Sequence, residues 1–167
     1  MKNSFEKILD FIFEVEGIKS DHGSDKGGLT KWGIASRWYP EVAKDDFAID
    51  DARLIYKSQY WDKCRCFDMP FAVATIVMDI AVNSGPKDGG RLVQEGINLS
   101  GGNVGVDGWV GDKTIDELWS VDIGKLVKVL IALRLRHYRK VIKKDRSQID
   151  FLSGWVLRVE KLLLFIA

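Results

Sequence analysis

Cysteine and histidine are scarce in this sequence, and it shows neither a long apolar run nor a surplus of one charge. Cysteine occurs only at Cys64 and Cys66. One intervening residue suits neither a paired zinc motif nor a disulfide framework, so both read as thiols. Synthesis in a reducing cytoplasm follows as the default. His22 and His137 have no ligand partner at a metal-binding spacing, so no metal and no other cofactor is expected. Twenty-five basic residues against 24 acidic ones leave a net charge of +1, which makes no case for nucleic acid or a membrane surface. No stretch approaches the roughly 18 apolar residues of a spanning helix, and Leu162–Ala167 is too short to be one. Glu6, Lys7 and Asp10 interrupt the first apolar run, so no secretory signal and no stable membrane anchor are expected. Repeats and low-complexity tracts are absent.

The chain does have apolar residues enough for a core. They make up 46% of 167 residues, which suits one domain, or a domain with an appendage. Their spacing is mostly helical. Phe5, Ile8, Leu9, Ile12 and Phe13 form a stripe over residues 4–16, with Ser4 as N-cap. Strand signals are weak outside 28–34, where a small hairpin is expected above Trp32, Ile34 and Trp38. Asp50 is expected to cap a helix reaching Tyr60, with Ala52, Leu54, Ile55 and Tyr56 inward. Pro70 opens an all-round apolar helix, the buried centre of the fold. Gly85-Pro86 and Gly89-Gly90 read as breaks before a short helix over 91–98. A helix over 115–119 is capped by Asp112 or Thr114. Residues 123–144 form the longest helix, with Arg134, Arg136, His137, Lys140 and Lys144 among its charges. That charge reads first as a solvated face. Ser147 and Asp150 are a capping signal for a last helix whose Trp155, Leu162, Leu163 and Phe165 close the core.

The stretch Glu14–Ala35 carries the chemistry. A helical pattern stops at Glu16-Gly17, and a polar, glycine-rich loop follows with Asp21, His22 and Asp25. Gly27-Gly28-Leu29-Thr30-Lys31-Trp32-Gly33-Ile34 restores order. Glycoside cleavage needs two carboxyl groups around one bond: a protonated donor and an ionised partner. Glu16 suits the donor, because its sequence neighbours Phe11, Ile12, Phe13 and Val15 would disfavour its charged form if they packed near it. Asp25, in a polar loop, would stay ionised, with Asp21 as its competitor. The Thr30 hydroxyl would hold a water. The plainer alternative is a solvated acid at a helix end beside an ordinary turn.

Two polar residues interrupt the apolar helix, Asp79 and Asn83, four apart on one face. A buried Asp79 needs partners. A holding role, toward the backbone of a nearby loop, is favoured over contact with substrate.

These residues resemble those of glycoside hydrolase family 108, the endolysin-type muramidases of bacteria and phages. The matching motifs run in order along nearly the whole chain: Glu16-Gly17, then Asp21, then Asp25-Lys26-Gly27-Gly28-Leu29-Thr30-Lys31-Trp32-Gly33-Ile34. Tyr60-Trp61, Asp79–Gly85, Val106–Gly111 with Thr114, and Gly154-Trp155 with Arg158 follow. Ile18 departs from the second glycine frequent in the family. The resemblance implies Glu16 as catalytic acid and a mainly α, lysozyme-like helical fold with a small hairpin after the first helix. A catalytic segment over 1–90 and a helical peptidoglycan-binding-like segment over 91–167 would pack into one compact domain. Asp21, Asp79, Asn83 and Trp109 would line the substrate side.

The function expected is hydrolysis of the β-1,4 bond between N-acetylmuramic acid and N-acetylglucosamine in peptidoglycan, causing lysis. A monomer made in the cytoplasm would act on the periplasmic wall after passage through a holin or another route. A lytic transglycosylase is the neighbouring alternative within enzymes. A catalytically inactive wall-binding or phage structural module is the alternative outside them.

Overall fold

The apolar stripe of the first segment folds as α1 (Lys2–Glu16). Ile8, Leu9 and Ile12 are wholly buried, while Glu6 and Asp10 lie exposed. A computed structural model describes residues 2–16 and 29–167. The Asp21–Asp25 loop lies outside the described residues. The described chain is about three-quarters helical, with seven α-helices and one two-stranded hairpin. It divides into two units, Met1–Gln59 and Tyr60–Ala167.

In the first unit, β1 (Thr30–Lys31) and β2 (Ile34–Ala35) pair antiparallel, with Thr30 opposite Ala35 and Lys31 opposite Ile34. That register leaves two turn residues, Trp32 and Gly33, with φ of 53° and 76°. Positive φ at both is the mirror-image turn whose twist matches a hairpin. Glycine adopts it freely and tryptophan does not. Ile34 packs inward as expected, but Trp38 is 72% exposed; it lies in the turn after β2, outside the hairpin's alternation.

A single turn of 3-10 helix at Pro40–Ala43 leads to α2 (Ile49–Tyr56). The cap is Asp51, whose carboxylate accepts the Ala48 N–H at 2.8 Å, and not Asp50. Ala52, Ile55 and Tyr56, three and four apart, share the buried face, and Leu54, expected inward, falls off it at 66% exposure. Arg53 clamps α2 to α1. It donates to Glu6 and, at 3.0 Å, to Asp10, which are four apart on one face of α1. The Phe13 and Tyr56 rings meet edge-on at 5.3 Å.

In the second unit, α3 (Phe71–Ser84) is buried on every side from Val73 to Ala81, as its unbroken apolar run requires. The following helix is longer than its glycines suggest. α4 spans Pro86–Ser100, with Pro86 in its first turn and Gly89-Gly90 inside it. Proline at that position loses no helical hydrogen bond. The glycines serve proximity. A Cβ on Gly90 would stand 2.2 Å from the Gly108 carbonyl oxygen, and one on Gly96 would stand 2.5 Å from Leu130 Cδ2.

α5 (Asp112–Ser120) starts three residues before the expected point. Arg65 bridges Asp112 of its first turn to Asp68. α6 (Ile123–Lys144) has the expected bounds, with Asp122 accepting the Lys125 N–H at 2.6 Å. One of its assumed surface charges is not on the surface: Arg134 is 1% exposed.

A short 3-10 stretch over Arg146–Phe151 precedes α7 (Leu152–Ile166). Asp145, not Ser147 or Asp150, supplies the cap there, and it caps the 3-10 stretch by accepting the Ser147 N–H at 3.0 Å. Leu162 is wholly buried but Leu163 is 42% exposed, because adjacent helical positions face about 100° apart. Cys64 and Cys66 are buried free thiols. No described helix is long and apolar enough to cross a membrane.

Candidate active site

Glu16 closes α1 and is exposed. Phe11, Ile12 and Phe13, which precede it, turn inward and are buried. The same helical period that gives α1 its apolar stripe therefore sets the carboxylate on the solvent side. Asp21 and Asp25 follow it in the chain but lie outside the described residues.

Thr30 stands on β1, half-buried. Three contacts within the first unit hold its hairpin. The Ser36 N–H donates to the Leu29 carbonyl at 2.8 Å. Lys31 Nζ donates to the Lys44 carbonyl at 2.7 Å, and Tyr56 Oη donates to the Trp32 carbonyl at 3.2 Å. A hydroxyl carried on a pinned hairpin is held better than one on a free loop.

In the second unit, Asp79 is wholly buried. Its partners are two arginines, where a loop backbone was expected. Arg134 of α6 donates to one oxygen. Arg158 of α7 reaches the other through Nε at 2.9 Å and Nη2 at 2.7 Å. Arg134 Nε also donates to Tyr138 Oη at 2.8 Å, and the Tyr138 ring stacks on Trp155 at 4.9 Å. This network joins α3, α6 and α7 through charge-assisted bonds in the low dielectric of the core. Asn83 is exposed, and its amide donates to the Asp79 backbone carbonyl at 2.8 Å.

Gln94 was not singled out by the sequence. It is 1% exposed on α4 and organises the 107–109 turn. Its amide nitrogen donates to Asp107 Oδ1 and to the Trp109 carbonyl, each at 2.9 Å. Its amide oxygen accepts the Gly108 N–H at 2.8 Å. The Trp109 N–H closes the ring onto Asp107 Oδ1 at 2.8 Å. These bonds hold the Asp107 carboxyl below the usual aspartate range. The Trp109 N–H contributes most, then Gln94, with the Lys87 charge a lesser aid. The signal that would have found Gln94 is its place between Val93 and Ile97, a polar residue on an apolar stripe. Trp109 itself is 70% exposed.

Residues 9–85 match the family model described as glycosyl hydrolase 108, and residues 89–160 match that of a predicted peptidoglycan domain. The chain thus resembles a glycosyl hydrolase 108 region followed by a peptidoglycan domain. The first match holds Glu16, the 17–28 segment, Thr30 and Asp79; the second holds Gln94, Trp109 and Arg134. The chain is also similar to the solved structure of SagA from Brucella abortus. The likeness covers 97% of this chain and 92% of that one, with a TM-score of 0.74 and 28% identity. No curated protein matches it significantly. Its fold is the lysozyme-like helical one, and it is a glycoside hydrolase type of protein directed at peptidoglycan.

Proposed function

We propose that this chain is a muramidase of the endolysin type, cleaving the β-1,4 bond between N-acetylmuramic acid and N-acetylglucosamine. The observation that carries the reading is the exposed Glu16 at the end of a rigid helix, within the region matched to glycosyl hydrolase 108. An acid at a helix end is positioned by packed backbone, and the substrate reaches it from solvent.

In this reading Glu16 donates its proton to the glycosidic oxygen as the bond breaks. The glycan supplies the apolar cover that α1 does not. A bound sugar excludes water from the carboxyl. Asp25 is the second carboxylate, with Asp21 its competitor, and Thr30 places the water from the hairpin. In the second unit Asp79 holds the core, and Asn83 and Trp109 are that unit's contacts to the glycan. The protein works as a monomer on the periplasmic wall, delivered through a holin-type lesion, and its action lyses the cell.

The test is clearing of permeabilised Gram-negative cells, with mass spectrometry of the released fragments. Wild type should clear the suspension and leave reducing muramic ends. Glu16→Gln keeps the shape and removes the donor, so it should lose on the order of 10²–10⁴-fold in rate. Anhydro ends would make the enzyme a lytic transglycosylase instead. Two inactive proteins that both sediment with wall sacculi would leave a binding module. Equal activity in both would remove Glu16 from the mechanism.

A further inference from the structure

The whole-chain charge of +1 conceals a local excess. Between Arg139 and Phe151 stand five cations, Arg139, Lys140, Lys143, Lys144 and Arg146, against two acids, Asp145 and Asp150. All five cations are exposed. Arg139 with Lys143, and Lys140 with Lys144, are four apart and share one face at the end of α6. None of the five forms an ion pair with another described residue. Asp145 is turned onto its own loop, where it accepts the Ser147 N–H at 3.0 Å, the Ser147 hydroxyl at 2.7 Å and the Gln148 amide at 3.3 Å.

The same segment leaves apolar side chains in water. Tyr138 stacks on Trp155, and Arg134 and Arg158 meet at Asp79. These pairs lie at matched distances on either side of the Arg146–Phe151 stretch, so α6 and α7 fold back on each other and that stretch is the tip of a helical hairpin. At the tip Ile149 and Phe151 are each more than half exposed, and Val156 and Leu157 on the first turns of α7 are exposed as well. Phe151 has Trp155 on one side only, at 6.3 Å. A single exposed apolar residue needs no explanation. Four within nine residues, next to five cations, make the mixed surface that lies in the interface of a bilayer.

Both halves of this surface suit one occupant. A layer of anionic headgroups meets the ammonium and guanidinium groups, and the acyl boundary beneath it takes the isoleucine and phenylalanine. A nucleic acid or an anionic wall polymer would use the cations and leave the apolar side chains in water. A second copy pairing tip to tip would set five cations against five. We propose that the α6–α7 tip is a peripheral docking surface for an anionic phospholipid bilayer. Lys143, Lys144 and Arg146 meet the headgroup phosphates, and Ile149 and Phe151 dip into the acyl boundary. The contact lies in the interface plane, is not an anchor and needs no hydrolysis.

The experiment sediments the full-length chain with vesicles of phosphatidylcholine mixed with phosphatidylglycerol, and with vesicles of phosphatidylcholine alone. The chain should bind the first, come off in high salt, and ignore the second. Each cation near an anionic surface is worth about fivefold in partitioning. Lys143→Gln, Lys144→Gln and Arg146→Gln together should therefore weaken binding about a hundredfold. Ile149→Ser with Phe151→Ser should weaken it about tenfold while the salt dependence stays. An environment-sensitive dye on Ile149→Cys should report an apolar surrounding on the mixed vesicles only. Cys64 and Cys66 are buried, which leaves the new thiol as the accessible one.

Equal binding by wild type and the triple variant would overturn the surface. Loss in the triple variant alone, with the Ile149 and Phe151 variant binding like wild type, would leave a bare charge effect and overturn the docking. Sedimentation with wall sacculi or lipopolysaccharide through the same cations, without binding to mixed vesicles, would overturn the phospholipid as occupant. A dimer abolished by the Ile149 and Phe151 changes, again without vesicle binding, would give the tip to a second copy. The substituted side chains are exposed, so thermal unfolding should match wild type in both variants. If the apolar variant unfolds, the dye at position 149 decides: no change on mixed vesicles overturns the proposal.

Discussion

Arg134 of α6 donates to the carboxylate of Asp79 on α3, with the arginine 1% exposed and the aspartate wholly buried. Arg158 of α7 holds the other carboxylate oxygen. One acid thereby draws three helices together, and the charge of either partner alone would be costly in the core.

Removing one side should therefore be worse than removing an ordinary surface pair. Arg134→Met is expected to lower unfolding free energy by about 3–5 kcal/mol, because it takes one of Asp79's two guanidinium partners out of the core. The surface pair of Arg136 with Glu95, 2.8 Å apart and both about half exposed, is the control. Arg136→Met should cost about 1 kcal/mol or less. Urea unfolding of both variants checks the order, and equal costs would refute the account.

Gly90 and Gly96 both sit where a side chain has no room, but against different obstacles. A methyl at position 90 meets the Gly108 backbone, and one at 96 meets the movable ends of Leu126 and Leu130. Gly90→Ala is expected to cost at or above the top of the ~1–3 kcal/mol typical of overpacking, and to displace Trp109. Gly96→Ala should cost less, since the leucines can shift and alanine is the better helix former. Thermal unfolding of the pair, read beside the Trp109 indole resonance, tests this.

The 107–109 turn should respond to acid in one direction. Asp107 has its pKa lowered in the fold, so its contribution is complete above the ordinary aspartate pKa. It is lost only as pH falls through the lower folded value. The indole resonance of Trp109 should stay fixed from neutral pH down through the usual aspartate range and move below it. Asp107→Asn should abolish that transition. A midpoint within the usual range would contradict the hydrogen bonding described.

The roles of the carboxylates and of Thr30 are separable by kinetics. If Asp25 is the second carboxylate, Asp25→Asn should lower kcat strongly, and Asp21→Asn should leave it within a fewfold of wild type. A reversed pattern would exchange the two. Thr30→Val keeps the β-branched shape of β1 and deletes the hydroxyl, so a fall in kcat without a change in fold would support water placement. A lytic transglycosylase that works with one acid would keep activity in Asp25→Asn.

Much of the fold was legible in the sequence because periodicity reports burial directly. The stripe of α1, the unbroken apolar run of α3 and the bounds of α6 follow from apolar spacing alone. A small hairpin near 28–34 was expected, but its turn at Trp32-Gly33 was not, since tryptophan seldom adopts positive φ; the order of motifs around Glu16, Thr30 and Trp109 pointed to glycosyl hydrolase 108. Pairings distant in the chain were not legible. Arg134 has the spacing of a surface cation, and only the meeting of α3, α6 and α7 makes it Asp79's partner. Gly89-Gly90 reads as a break because a local rule weighs backbone entropy; the nearness of Gly108 turns the same residues into a packing requirement. Gln94 and Lys87 gain their roles from a turn more than a dozen residues away. Sequence spacing determined which faces are apolar. Tertiary structure alone decided which polar groups meet, because a hydrogen bond depends on where its partner lies in space.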